Sequence, residues 1–341
     1  MSQLSAGRSI RWGFLGAGGI AAAMAADLHH GNNTLYAVAA RDADRATAFA
    51  ARFGASHSHG DYRAVIEDPD VDIVYIATPV SEHHANARLC LEAGKHVLCE
   101  KAMTVNAAEC ADLMELATER GQFLMEAMWM RTNPLHHKMI ELLHDGAIGT
   151  VRAVSAELGF TVAADPKHRL RDIDQAGGAL LDMGVYPLTF VWEVLGAAQS
   201  VQAYGLVSGR VDGTVGVTLG YADAIATIST SIDANMPARG VVMGSEGRIE
   251  LDGFHAAQSL TVHRYDRETE THSVTWPGMG YTYEAEEAAR CVRAGLLESP
   301  MVPMTDTLAI MGQMDEIRRQ IGMVHPRERD AGSMSVAGAH A

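Results

Sequence analysis

Cysteine is scarce in this chain. Four residues among 341, at positions 90, 99, 110 and 291, form no C-x-x-C pair, which excludes a disulfide-stapled scaffold or a zinc ribbon. Reduced, buried thiols in a cytoplasmic protein are expected instead. Basic charge is short as well. Lys and Arg number 27 against 42 Asp and Glu, a net charge of −15, so nucleic acid and anionic membrane, which need basic surface, are poor partners. No uninterrupted run of about 18 apolar residues occurs, so no membrane span is expected. The opening MSQLSAGRSIRW lacks an apolar h-region, so no signal peptide is expected. H-E-x-x-H is absent too. The adjacent pairs His29–His30, His83–His84 and His136–His137 point in different directions on a helix, so no metal site is expected. The sequence contains no internal repeat and no low-complexity segment.

What remains is the composition of an ordinary soluble globular protein, 48% hydrophobic and 20% charged. At 341 residues the chain exceeds the ~250–300 at which single cores stop growing, so two domains are expected. The first is organised around IRWGFLGAGGIA at residues 10–21. An apolar run leads into Gly16-Ala17-Gly18-Gly19-Ile20-Ala21, a G-x-G-x-x-A turn, and a helical pattern follows without a break. Gly16 allows the tight turn, and Gly18 lets a pyrophosphate approach the backbone. Ala21 lets helix and strand pack closely. With Gly19 and Ile20 the turn forms a helix N-terminus, whose free N–H groups and dipole favour phosphate. The bland alternative is a glycine turn that binds nothing.

Residues 35–40 read as the second strand, ending at Arg41-Asp42. An acidic residue there binds the ribose 2′-OH of NAD, and an arginine accepts the 2′-phosphate of NADP. Arg41 favours NADP, while Asp42 leaves NAD open. Further strands at 71–77, 96–99 and 122–126 alternate with helices at 62–67, 82–93 and 106–120, the grammar of a doubly wound parallel sheet. Ligands in such sheets sit beyond the carboxyl ends of the strands. Gly16, Arg41, Thr78-Pro79, Glu100-Lys101 and Glu126 all fall at such ends, so they are expected to share one cleft.

After about residue 150 the pattern changes. A strand at 151–162, a charged loop at 165–175 and a helix at 177–195 precede seven strand-like runs. Asp212-Gly213 and Ser245-Glu246-Gly247 are read as tight turns between those runs. Strands joined by short turns imply a large, open, mostly antiparallel sheet. The fold class is therefore α/β followed by α+β. The expected domains are a loose stretch at 1–9, a dinucleotide-binding domain at 10–130, a substrate-binding and oligomerisation domain at 131–324 and a disordered tail at 325–341. An open sheet covered by one helix layer leaves an apolar face, so a homodimer or higher homo-oligomer is expected.

Two clusters can carry chemistry. Lys101 directly follows a buried strand beside Glu100 and can donate to a substrate oxygen or help move a proton. The alternative is a surface Glu–Lys pair. In GGALLDMGVY, residues 177–186, Asp182 and Tyr186 lie four apart on one helix face among apolar neighbours. A carboxylate there needs a partner, and Lys101 is a candidate.

These stretches carry a resemblance. GFLGAGGIA, TPVSEHHANARLCLEAGKHVLCEKAM and GGALLDMGVYPL together resemble the Gfo/Idh/MocA oxidoreductase family over residues 10–322. LMEAMWMRTNP and GMGYTYEAEEAARCVRAG look similar to its branch of dihydrodiol dehydrogenases and NADP-dependent xylose dehydrogenases. The resemblance implies a Rossmann domain whose cofactor, NADP with NAD possible, contacts Gly16, Gly18, Gly19, Ile20, Arg41, Thr78, Pro79, His83, Glu100 and Lys101. It implies catalysis by Lys101 and Tyr186 with Asp182 as helper, and it leaves Trp129 and Arg131 as candidate substrate contacts. Ala102 stands where the family motif E-K-P has proline. The implied reaction is hydride transfer between nicotinamide and a hydroxyl carbon of a sugar, cyclic polyol or trans-dihydrodiol. An NAD-dependent glycosidase of the same fold and a non-catalytic cofactor-binding regulator are the alternatives.

One outcome follows from Arg41. Its replacement by Ala should weaken NADP binding by roughly 1.5–3 kcal/mol, one charge-assisted phosphate contact, and leave NAD binding nearly unchanged. Fluorescence titration with both cofactors measures this, and equal losses would make Arg41 structural.

Overall fold

The computed structural model describes residues 8–326. These form two compact units. The first comprises residues 8–104, Ala108–Asn133 and Thr275–Leu308, and the second comprises Val105–Ala107, Pro134–Val274 and residues 309–326. The contiguous division expected at residue 130 is therefore crossed again by a returning segment.

The first unit holds six strands: β1 (Ile10–Leu15), β2 (Asn33–Ala39), β3 (His57–His59), β4 (Ile73–Ile76), β5 (His96–Glu100) and β6 (Leu124–Ala127). They are all parallel, in the order β3-β2-β1-β4-β5-β6, the doubly wound arrangement that binds dinucleotides. Strands β4 and β6 are buried along their whole length, as expected where helices cover both sheet faces. Helices α1 (Gly19–Leu28), α2 (Ala43–Phe53), α3 (Tyr62–Ile66), α4 (His83–Glu92) and α5 (Ala107–Arg120) alternate with the strands. The sequence reading passed over β3, because His-Ser-His on an exposed edge carries no apolar signal.

In the second unit α6 (Pro134–His144), also passed over, precedes β7 (Val151–Gly159). The helix α7 (Val185–Leu195) follows, then β8 (Ser200–Ser208), β9 (Val211–Gly220), β10 (Ile225–Ser231), β11 (Arg239–Gly244), β12 (Gly247–Asp252), β13 (Ser259–Arg264) and β14 (Glu270–Ser273). The sheet order is β14-β13-β12-β11-β7-β10-β9-β8. Only β7 and β10 pair in parallel; the other ladders are antiparallel. Side chains alternate across this sheet. Val154, Ala156, Val217, Ile228, Val242 and Ile249 are buried on one face. The other face carries Tyr204, 78% exposed, with Leu206 and Ile225. Helices α8 (Thr282–Arg293) and α9 (Met304–Gln320) complete the chain order.

Several expectations change. Asp212 and Gly213 do not form a turn; the chain turns at residues 209–210, and Asp212 lies inside β9 with 1% exposure. Its carboxylate accepts the Leu180 N–H at 2.6 Å, which draws the residue into the core. The helix expected over 177–195 begins as a one-turn π segment, Leu180–Gly184, before α7. Residues Ile173–Leu195 are by length and composition apolar enough to cross a membrane, but most of this stretch is buried inside the protein. Residues 8, 9 and 325, expected to be loose, are held in place. Arg8 bonds Asp72 at 2.7 Å and Ser9 bonds Thr34 at 2.7 Å. At the other end buried His325 bonds the Ile173 carbonyl at 2.9 Å. The expected disorder of residues 1–7 and 327–341 lies outside the described residues.

Candidate active site

The glycine turn is built for a close-approaching ligand. Gly16 has φ +106°, and a Cβ there would stand 2.6 Å from the Ala77 carbonyl oxygen, so no other residue fits. At Gly18 and Gly19 a Cβ would meet nothing within 4 Å. The backbone there faces open space. Gly18 caps α1 without a side-chain bond, and no acidic residue occupies the first turn, which includes Ile20. The N–H groups at this terminus thus have neither a capping oxygen nor a repelling carboxylate. This cradle fits a pyrophosphate.

At the tip of β2, Arg41 and Asp42 part ways. Arg41 is exposed. Asp42 is the N-cap of α2, its Oδ1 accepting the Asp44 N–H at 2.9 Å and the Arg45 N–H at 3.1 Å. The carboxylate that blurred the cofactor signal is therefore engaged by the helix. Arg45 donates to the Ala17 carbonyl at 3.1 Å, tying α2 to the glycine turn.

Thr78, Pro79, His83, Glu100 and Lys101 gather at the ends of β4 and β5. His83 is 1% exposed. Its Nε2 faces the Thr78 carbonyl at 2.9 Å and its Nδ1 the Ala102 carbonyl at 3.0 Å. Burial holds its pKa below the ordinary histidine value. Expected as a cofactor contact, His83 turns both ring nitrogens toward backbone carbonyls, and the neutral ring has one N–H to donate to one of them. Pro79 leads into the short 3-10 turn Val80–Glu82, and Asn86 donates to the Thr78 hydroxyl at 3.2 Å.

Glu100 and Lys101 are not a surface pair. Glu100 is 7% exposed and accepts the Tyr75 hydroxyl and, at 3.2 Å, the Lys101 N–H. Burial raises the Tyr75 pKa well above its ordinary value, and the Glu100 charge adds to this, so Tyr75 stays a donor. Ala102, in the place of the family proline, is fully buried, and the Lys101–Ala102 peptide is cis. Trp129 is 8% exposed and stacks on Tyr281 at 4.7 Å between centroids, with Trp276 edge-on at 5.8 Å. Arg131 is no surface charge: its largely buried guanidinium pairs with Asp306 at 2.8 Å.

In the second unit, Asp182 lies in the π segment and Tyr186 in the first turn of α7, each 8% exposed. Asp182 pairs with Arg169 at 3.0 Å, a partner the sequence reading missed because Arg169 sits in the charged stretch 165–175. The Tyr186 ring lies 5.5 Å from that of His255. Asp212 anchors the start of this segment through Leu180. Gly178 has φ +124°, and a Cβ there would fall 2.2 Å from the Asp212 Oδ1. Burial raises Asp212 to about 6. Among the described residues no group of three His, Cys, Asp or Glu side chains is arranged to hold a metal ion.

Comparison with known proteins agrees with this architecture. The family model for the Gfo/Idh/MocA oxidoreductases, NAD-binding Rossmann fold, matches residues 10–128, and that for the family's C-terminal domain matches residues 136–250. Mus musculus trans-1,2-dihydrobenzene-1,2-diol dehydrogenase is 36% identical, across 94% of this chain and 99% of its own length. Hypocrea jecorina D-xylose 1-dehydrogenase (NADP(+)) is 35% identical, across 93% of each chain. A 3-ketoreductase from Actinomadura kijaniata, solved with NADP and TDP-benzene, superposes with a TM-score of 0.81 at 27% identity. That match covers 92% of this chain and 98% of the other.

The role of Asp42 is open to measurement. Asp42→Ala should lower stability by about 0.5–2 kcal/mol, the loss of one helix cap, and leave the preference between NADP and NAD unchanged. Thermal denaturation and paired cofactor titrations read the two effects. Weakened NAD binding alone would mean that Asp42 reaches a ribose.

Proposed function

Because the chain belongs to the Gfo/Idh/MocA oxidoreductase family, we propose that it is an NADP-dependent dehydrogenase acting on a CH–OH group of a sugar, cyclic polyol or trans-dihydrodiol. The observation that carries this reading is the joint presence of an open glycine cradle with Arg41 beyond it and of Lys101, Asp182 and Tyr186 on buried, anchored segments. The names of the dihydrodiol and xylose dehydrogenases support the substrate class, and the second also supports NADP. Gly16, Gly18, Gly19 and Ile20 would hold the pyrophosphate and Arg41 the 2′-phosphate, with Thr78, Pro79, Glu100 and Lys101 at the nicotinamide end.

Bound NADP supplies the acceptor for the substrate's hydride. As hydride leaves, the hydroxyl must lose its proton, and a positioned base is needed. Tyr186 takes that role through its phenolic oxygen. Lys101 contributes a positive charge that holds the substrate oxygen and stabilises the anionic form of the tyrosine. Asp182, balanced by Arg169, orients the group. Trp129, within its aromatic cluster, and Arg131 are the candidate substrate contacts. Retention of Lys101, Asp182 and Tyr186 argues against a regulator that binds cofactor without chemistry. The four cysteines, all buried and free, suit a reducing compartment and support a cytoplasmic enzyme.

Lys101→Met and Tyr186→Phe should each lower kcat by about 10²-fold or more. The double variant should be little worse than the worse single, since groups that act as a unit are not additive. NADP binding should survive Tyr186→Phe. A folded, cofactor-binding single variant with near-normal kcat on a good substrate would refute the assignment.

We also propose a homo-oligomer joined through the second unit's sheet. The exposed Tyr204, Leu206 and Ile225 on its bare face support this. Light scattering at micromolar concentration should give at least a dimer, and Tyr204→Lys should shift it toward monomer. A wild-type monomer would contradict the proposal.

A further inference from the structure

Glu126 is the penultimate residue of β6, where the strand register sets it beside Cys99 and sets Ala127 beside Glu100. It is 3% exposed. Oε1 accepts the Met103 N–H at 2.9 Å, and Oε2 accepts the Thr307 hydroxyl at 3.1 Å. Met103 stands two residues past Lys101, with only the fully buried Ala102 between them. Glu126 thus grips the far side of the turn whose near side Glu100 holds through the Lys101 N–H.

The charged and titratable groups around this carboxyl come from several elements. Lys101 acts on it from the turn after β5 and Arg131 from the 3-10 turn Trp129–Thr132. The Cys99 thiol of β5, pushed well up by burial and by the Glu100 and Glu126 charges, stays neutral beside it. From α9 comes the uncharged Thr307, while neighbouring Asp306 is paired with Arg131. A carboxylate so buried is costly unless it is bonded and charge-balanced. Here two donors and two cations offset the burial only in part.

We propose that Glu126 is a positioning residue for Lys101: it clamps the turn that carries the lysine and supplies a titratable negative charge beside it. The inference rests on the role given to Lys101 above. Burial raises the Glu126 carboxyl to about 7, against the pull of Met103, Thr307, Arg131 and Lys101. Above that pH the ionised carboxylate balances the ammonium. Below it the carboxyl is neutral and that negative charge no longer acts on the ammonium. Activity should therefore fall as pH drops through neutrality.

Glu126→Gln retains a carbonyl oxygen for the Met103 N–H and can never ionise. At pH 8 its kcat should fall roughly tenfold, the lower end for losing a hydrogen bond to a charged group, with KM and NADP affinity little changed. The wild-type inflection near neutral pH should vanish. Glu126→Asp keeps the charge at a shorter reach and should shift the inflection rather than abolish it. A direct readout is the NMR signal of Lys101 labelled by reductive 13C-methylation. In wild type it should show a second inflection near neutral pH, and this should be absent from Glu126→Gln and displaced in Glu126→Asp. A wild-type pH profile in both variants, or a Lys101 signal indifferent to them, overturns the inference. Failure of the dehydrogenase reading looks different: the wild type would reduce no NADP with any sugar, polyol or dihydrodiol, while the Lys101 signal would still report Glu126.

Discussion

The hydroxyl of Tyr75 on β4 donates to Glu100 at the end of β5, and the same carboxylate accepts the Lys101 N–H. Lys101 is the first residue past β5, so the buried carboxylate that accepts its N–H fixes where its backbone leaves the strand. The neighbouring contacts reinforce it: His83 lies between the Thr78 and Ala102 carbonyls, and Glu126 holds the Met103 N–H. A parallel sheet covered on both faces leaves its strand ends for chemistry, and this polar staple shapes that end in the first unit.

The second unit uses the same device with different residues. Asp212, buried within β9, receives the Leu180 N–H at the start of the segment that bears Asp182 and Tyr186. The glycines of GGALLDMG are explained by crowding rather than by flexibility alone. A Cβ at Gly177 would stand 2.5 Å from the Arg169 carbonyl oxygen, and one at Gly178 would strike Asp212. Arg169 in turn balances Asp182. Both proposed reactive segments are therefore positioned by buried carboxylates that receive backbone N–H groups, an arrangement that is strong when desolvated and costly to leave unpaired.

Much of this was legible in the sequence. The glycine turn, the apolar parallel strands and the change of grammar near residue 150 all follow from local periodicity, which is where sequence patterns are most informative. Partners distant along the chain were not. Nothing near Asp182 marks Arg169 as its counter-ion, and nothing near Glu100 marks Tyr75. Asp212-Gly213 has the composition of a turn, yet a helix start 32 residues away captures the carboxylate. Asp42 was ambiguous for the opposite reason: both of its possible roles are local, and the cap it makes depends on how α2 begins. The His57–His59 edge strand carries no apolar alternation and was invisible to that signal.

The central claim is that a substrate C–H bond loses its hydride to NADP. The direct measurement is the fate of deuterium placed on the carbinol carbons of a panel of sugars, polyols and dihydrodiols, each incubated with enzyme and NADP and followed by mass spectrometry of the cofactor. With a member of the panel one deuterium should appear in the reduced nicotinamide, in step with loss of that substrate. Unlabelled or unreduced cofactor across a panel of deuterated sugars, polyols and dihydrodiols would contradict the account.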